Sequence, residues 1–167
     1  DEGFIKKIGV SIYSKKEIDI VLKSKLKPEV VQLPINILDT RLYHYGYLER
    51  LVAEKVQIHA RSVFLQGLFY LTPAELKENF RDAAPILKRL YIIAKRYGLS
   101  IAELSLCWVA SLDCISKIII GVENAEQLKS HISVLKKQKG QPFFKEAISL
   151  KYQNKNILNP SLWTQKF

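Results

Sequence analysis

Methionine is missing from this sequence altogether, and the chain opens on Asp1. The first residues, Asp1-Glu2-Gly3-Phe4-Ile5-Lys6-Lys7-Ile8, enter a β-rich run almost at once, so a truncated start is expected. Cysteine is nearly absent too: Cys107 and Cys114 are the two present, with no CxxC spacing. That excludes a disulfide scaffold, and buried reduced thiols suit a cytoplasmic protein. The three histidines, His44, His59 and His131, have no spacing that resembles a metal site. No apolar run approaches the roughly 18 residues of a membrane span, and no signal peptide is recognised.

Acidic residues are also in deficit. Asp and Glu number 16 against 26 Lys and Arg, giving a formal charge of +10 and a pI near 9.6. Such a charge favours anionic partners. The lysines are scattered, however, with small clusters at Lys136, Lys137 and Lys139 and at Lys151 and Lys155. They read as solvated helix faces and tail, with a polyanion-binding surface as the weaker alternative. Nucleic acid is therefore not the expected partner.

What is present fits one globular domain: 167 residues, 48% hydrophobic and 25% charged. A chain of this length can bury a core covering roughly two-thirds of its unfolded surface. β-rich runs recur at 5–11, 29–33, 56–60 and 117–120, with helical periodicity between them. Ser14-Lys15-Lys16-Glu17 has the spacing of a capping box, and Ile18, Val21, Leu22 and Lys25 then share a face up to Pro28. A polar loop containing Asp39, Arg41 and Gly46 leads to Leu48, Leu51 and Val52 on a second helical face.

Thr72-Pro73-Ala74-Glu75 repeats the capping spacing with proline at the permitted first position, and a helix is predicted over 85–97, closed by Gly98. Ser100-Ile101-Ala102-Glu103 opens another, with Ile101, Leu104, Trp108 and Leu112 inward. Asn124-Ala125-Glu126-Gln127 caps the last main helix, predicted to bury Ala125, Leu128, Ile132 and Leu135. Residues 1–140 are read as the main unit and 141–167 as a short helix and polar tail. Strands alternating with helices argue for an α/β protein with parallel strands and right-handed crossovers. Alternation alone does not separate an open sheet from part of a barrel.

Ligand residues in such folds gather at the C-terminal ends of the strands. Those positions here hold Gly9, Ser11 and Tyr13; Gln32 and Asn36; Arg61, Ser62, Gln66 and Gly67; and Gly121, Glu123 and Asn124. Amide, hydroxyl and small residues of this kind can bind a carboxamide or a phosphate but are poor in acid–base groups. Four motifs carry a more specific signal. Ile8-Gly9-Val10-Ser11-Ile12-Tyr13, Val31-Gln32-Leu33-Pro34-Ile35-Asn36, Arg61-Ser62-Val63-Phe64-Leu65-Gln66-Gly67 and Ile120-Gly121-Val122-Glu123-Asn124-Ala125-Glu126-Gln127-Leu128 resemble successive signatures of the aldo/keto reductases. The resemblance runs over about residues 1–135 and matches the fifth to eighth strands of that family's barrel.

The resemblance implies a partial TIM-type (β/α) barrel of about four parallel βα units, the C-terminal half of an eightfold barrel. A complete one needs about 250 residues. It also implies NADP or NAD as cofactor and a small carbonyl compound as substrate. Ser11 and Gln32 would hold the nicotinamide carboxamide. Arg61, Ser62, Phe64, Gln66 and Gly67 would sit by the nicotinamide and embrace the pyrophosphate. Gly121, Glu123 and Gln127 would meet the adenosine phosphate, partly through a helix N-terminus.

Three departures from the family stand out. Ile12 occupies a position often held by a carboxamide-binding asparagine. Arg61 replaces a stacking aromatic, although a guanidinium can also stack. Gln127 stands where an arginine often grips the 2′-phosphate, which leaves the choice between NADP and NAD open. The family's Asp, Tyr, Lys and His tetrad lies on the first four strands and has no counterpart here, so the chain by itself is predicted to be inactive.

Plainer readings stand beside these. Ser11 also suits an ordinary turn, and Gln32 a structural hydrogen-bond network. Asn36 and Asp39 are read as ordering their loop. Arg61 could pair with Asp39 or Glu123, and Gln127 is explained by its cap with Asn124. His44, among Tyr43, Tyr45 and Tyr47, is read as loop packing. A half-barrel would leave open strand edges and an apolar interior without its opposite wall, so self-association is expected. A non-catalytic half-barrel interaction module is the alternative to the enzyme reading.

Overall fold

The computed structural model describes residues 3–137 and 144–163. Four strands, β1 (Gly9–Ser11), β2 (Val30–Pro34), β3 (Gln57–Arg61) and β4 (Ile115–Ile118), form one sheet in the order β1-β2-β3-β4, every adjacent pair parallel. Helices α1 (Lys15–Lys23), α2 (Arg41–His44), α3 (Tyr47–Ala53), α4 (Ala84–Arg96), α5 (Ile101–Ala110), α6 (Ala125–Lys137), α7 (Phe144–Ile148) and α8 (Lys155–Leu158) fill the connections and the C-terminal segment. The strand order runs in one direction without reversal. Right-handed crossovers that always advance the same way put their helices on the same face, as in a barrel wall. A doubly wound sheet needs a reversal, so this resolves the choice that alternation left open.

Local sequence accounts for the helix ends. Ser14 caps α1, its hydroxyl accepting from the Glu17 N–H, while the Glu17 carboxylate accepts from the Tyr13 N–H at 3.0 Å. The reach back is therefore one residue further than in the reciprocal box. The full box forms at α5, where Ser100 and Glu103 satisfy each other's backbone N–H groups. α4 stops at Gly98, which adopts φ +66° and lets the Leu99 N–H reach the Ala94 carbonyl at 3.0 Å. Thr72 donates both its N–H and its hydroxyl to the Glu75 carboxylate, while the Glu75 N–H goes to the Thr72 carbonyl, so the segment closes a turn rather than starting a helix.

Burial alternates along β2 and β3. Val31, Leu33, Ile58 and Ala60 are fully buried beneath the helices, while Gln32, Gln57 and His59 are half-buried on the opposite face. The helix-side core continues through Ile18, Leu48, Leu51, Leu87, Leu90, Leu104 and Trp108. Register aligns Ser11, Gln32, His59 and Lys117 in one row across the uncovered face. That face is polar, contrary to the apolar interior expected from half a barrel.

Other differences have local causes. β1 is shorter than the β-rich run because 4–8 find no ladder beyond β2, and Phe4, Ile5 and Ile8 are left exposed. β4 starts at Ile115, two residues before the predicted run; Ile115 pairs with Ile58, and a register shift within the strand then sets Lys117 opposite His59. Helix α6 turns a different stripe inward: His131 and Val134 are buried, whereas Ala125, Leu128 and Ile132 are exposed. The cause is His131, which stacks on Phe64 with ring centroids 4.8 Å apart. His44 ends a helix rather than lying in a loop, its ring edge-on to Tyr43. No helix among the described residues is long and apolar enough to cross a membrane.

Candidate functional site

The C-terminal ends of β3 and β4 open into a cavity of about 760 Å³. That volume lies within the range of small-molecule sites, roughly 300–1,000 Å³. Arg61, Ser62, Phe64, Gln66 and Gly67 form one wall, and Gly121, Glu123 and Gln127 the other. Eight of the ten sequence-predicted cofactor residues thus share one cavity. Ser11 and Gln32 do not line it; they lie in register on β1 and β2. Arg61 connects the two groups. Its guanidinium donates to the Ile12 carbonyl at 3.4 Å and lies 4.1 Å over the Tyr13 ring, both just past β1.

Arg61 forms no ion pair with Asp39 or Glu123 among the described residues; it donates instead to the Ser62 hydroxyl at 3.2 Å. Asp39 belongs to Arg41, bound through both carboxylate oxygens at 2.7 and 2.8 Å. The reason is placement. Asp39 is buried in the loop after β2, and Arg41 is only two residues away on α2.

The wall from Ser62 to Gly67 is held in an unusual backbone. Ser62, Leu65 and Gln66 have φ of 57°, 46° and 53°, and Gly67 has 97°. Left-handed conformations of residues with a Cβ cost roughly 1–2 kcal/mol each, so neighbours must enforce them. Two buried side chains do so. Asn36 donates to the Ser62 carbonyl at 3.2 Å while accepting from the Leu38 and Asp39 N–H groups. Ser105, fully buried on α5, donates to the Val63 carbonyl at 2.7 Å and accepts from the Ile37 N–H at 3.1 Å. Asn36 orders its loop as expected. Ser105 carries no motif in the sequence, being one small polar residue between Leu104 and Leu106 on α5.

The opposite wall is the approach to α6. Asn124 accepts from the Gln127 N–H at 2.8 Å, and the Gln127 side-chain oxygen accepts from the Glu123 N–H at 2.8 Å. A Cβ at Gly121 would meet no atom within 4 Å, so the backbone there faces open cavity space. Tyr70, also missed in the sequence, lines the cavity and shares a hydrogen bond of 3.0 Å with His131. Burial, with the Glu103 and Glu123 carboxylates nearby, pushes the Tyr70 phenol up to about 12. Burial holds His131 below the usual histidine range. Tyr70 thus stays protonated beside a neutral imidazole at neutral pH.

The donor set suits anions and amides: a guanidinium, hydroxyls, carboxamides and backbone. It offers no group of three or more metal-ligating side chains among the described residues. A sequence model described as the aldo/keto reductase family matches residues 1–149. Among solved structures, the chain is similar to a thermostable aldo-keto reductase in complex with the inhibitor epalrestat, at TM-score 0.65 and 23% identity, covering 89% of this chain and 50% of that one. It is also similar to an aldo-keto reductase from Bacillus halodurans in its holo form, at TM-score 0.68 and 19% identity, covering 87% of this chain and 51% of that one. At these identities the likeness speaks for the fold, and the chain spans about half the length of both structures. On the family match over 149 of its 167 residues, the chain belongs to the aldo/keto reductase family.

Proposed function

We propose that this chain is the cofactor-side half of an NAD(P)H-dependent oxidoreductase acting on a carbonyl substrate. The observation that carries the reading is the single cavity at the ends of β3 and β4, lined by Arg61, Ser62, Gln66 and Gly67 on one side and Gly121, Glu123 and Gln127 on the other. Its position matches the rule that parallel βα folds bind ligands at the C-terminal ends of their strands.

The residues present fit a dinucleotide. Open space over the Gly121 backbone allows close approach of a ligand. The left-handed residues Ser62, Leu65, Gln66 and Gly67 curve the wall around the cavity, where the pyrophosphate would lie. Arg61 supplies the cation. Its stacking on Tyr13 and its bond to the Ile12 carbonyl hold it between that wall and the end of β1. Ser11 and Gln32, side by side on β1 and β2, would orient the nicotinamide carboxamide. The cofactor's chemistry is hydride delivery to a carbonyl carbon.

Proton delivery to the carbonyl oxygen needs a positioned acid. Tyr70 lines the cavity, but its phenol is bonded to His131 and raised by burial, so it serves packing. The chain alone is therefore inactive in this reading, and the catalytic Asp, Tyr, Lys and His lie outside it. Titration of the 167-residue chain with NADH and NADPH tests the cofactor half of the reading; binding of neither would overturn it. Carbonyl-dependent NAD(P)H oxidation by the isolated chain would overturn the inactivity.

A second reading is favoured by a separate observation. Exposed apolar residues fall at both lateral edges: Phe4, Ile5, Ile8 and Val10 at β1, and Ile119, Leu128 and Ile132 beside β4 and on α6. Such edges suit association, with another copy or another protein, by a non-catalytic half-barrel.

A further inference from the structure

We propose that a second cavity, between α2 and the segment leading into α8, binds a small organic oxyanion, a phosphate or carboxylate carried on a planar group. The inference does not rest on the dinucleotide reading, because the two cavities share no lining residue.

This cavity holds about 320 Å³, at the small end of the range for ligand sites, roughly 300–1,000 Å³. Thr40, Arg41, His44 and Tyr45 line it from the α2 side, and Lys151 and Tyr152 from the C-terminal segment. Arg41 and Lys151 are cations, and no described lining residue is acidic. Asp82 is near enough to act on the Tyr152 phenol but does not line the space.

Arg41 is the group on which the site is built. Its Nε and Nη2 donate to the two oxygens of Asp39 at 2.7 and 2.8 Å. Asp39 is itself buried, with its N–H held by Asn36. The guanidinium plane is thereby fixed. A guanidinium has five N–H donors, so the end-on edge of Nη1 and Nη2 still presents donors that Asp39 leaves free. An oxyanion meeting that edge can accept two parallel charge-assisted bonds. The arginine is already ordered, which spares much of the cost of immobilising it.

Asp39 cancels the charge of Arg41, so the second cation sets the sign of the site. Lys151 is exposed and forms no ion pair with a described residue. The Thr40 hydroxyl is not spent on capping α2. Tyr45 is exposed, and with His44 and Tyr152 it supplies rings against which a planar group can pack.

The test is calorimetric titration of the 167-residue chain with phenyl phosphate, benzoate and inorganic phosphate. It is run near physiological salt, which screens the chain's +10 charge at a distance. Saturable binding of phenyl phosphate or benzoate is expected, and the tighter of the two identifies the oxyanion. Inorganic phosphate should bind several-fold more weakly than phenyl phosphate, because it lacks the ring. K151E should weaken binding by about tenfold or more, whereas K16E, the same charge change at an exposed lysine on α1, should alter it by less than about twofold. R41K keeps a cation beside Asp39 and loses the fork, so it should weaken binding several-fold, with urea unfolding confirming that it folds. G121V, which places a side chain in the first cavity, should bind these probes as the wild type does.

Binding of neither aryl probe, or equal losses in K16E and K151E, would overturn the inference. Loss in G121V would place the anion in the first cavity and overturn it as well. Inorganic phosphate bound as tightly as phenyl phosphate would remove the planar group, and wild-type binding in R41K would remove the fork.

Discussion

Ser105 on α5 donates its hydroxyl proton to the Val63 carbonyl at 2.7 Å, joining the helix layer to the strained wall of the cavity. The same oxygen accepts from the Ile37 N–H after β2. One buried hydroxyl thus satisfies two backbone groups from different βα units. Replacing it with alanine leaves both without a partner in a fully buried place. An unsatisfied buried group costs about 1–3 kcal/mol. S105A should lower unfolding free energy by that order in urea titrations and loosen the 62–67 loop. Unchanged stability would mean that the loop holds its own shape.

The two shielded histidines set a pH dependence. His131 is depressed by burial, partly offset by Glu103; His59 is depressed by burial and by Lys117 and Lys7. Their unfolded values lie near 6.5. Above that, both states are neutral and stability is complete. As pH falls through that value the unfolded chain takes up protons that the native chain still refuses, so stability declines until the folded values are reached. Urea midpoints measured from pH 8 downward, in steps of about half a unit, should fall below about pH 6.5. The slope should be shallower in H131Q and in H59Q, and equal slopes in all three proteins would remove the histidines from the account.

Gly121 gives a way to close the cavity without harming the fold. Its φ lies outside the left-handed range, and a side chain there would point into open space. G121V should therefore unfold at the wild-type urea concentration while binding dinucleotide at least tenfold more weakly, by calorimetry. Wild-type affinity in G121V would place the ligand elsewhere.

The parts of this fold legible in the sequence are those that short-range physics fixes. Serine caps at Ser14 and Ser100, the left-handed stop at Gly98 and the alternation of Val31, Gln32 and Leu33 all act within a few residues. The cavity walls were legible because each is a single contiguous motif, 61–67 and 120–128. What escaped depends on partners far along the chain. The inward stripe of α6 is set by His131 meeting Phe64, 67 positions earlier. Arg61 turns to Tyr13 and Ile12 on another strand instead of a carboxylate. Ser105 is equally invisible until Val63 and Ile37 are brought to it.

The polar row Ser11, Gln32, His59 and Lys117 changes how association should proceed. An apolar barrel interior would drive two copies face to face. This face carries a lysine and a depressed histidine, and two copies stacked on it would bring Lys117 and its mate into like-charge contact. The apolar material lies at the edges instead, with Ile5 75% and Ile132 46% exposed. Light scattering at micromolar concentration should therefore show dimers or larger species that form edge to edge. I132E should weaken them if the α6 edge takes part, and I5E if the β1 edge does, whereas K117E should have little effect. A monomer under these conditions would show that the edges are tolerated in water. Dimers weakened by K117E alone would return the contact to the open face.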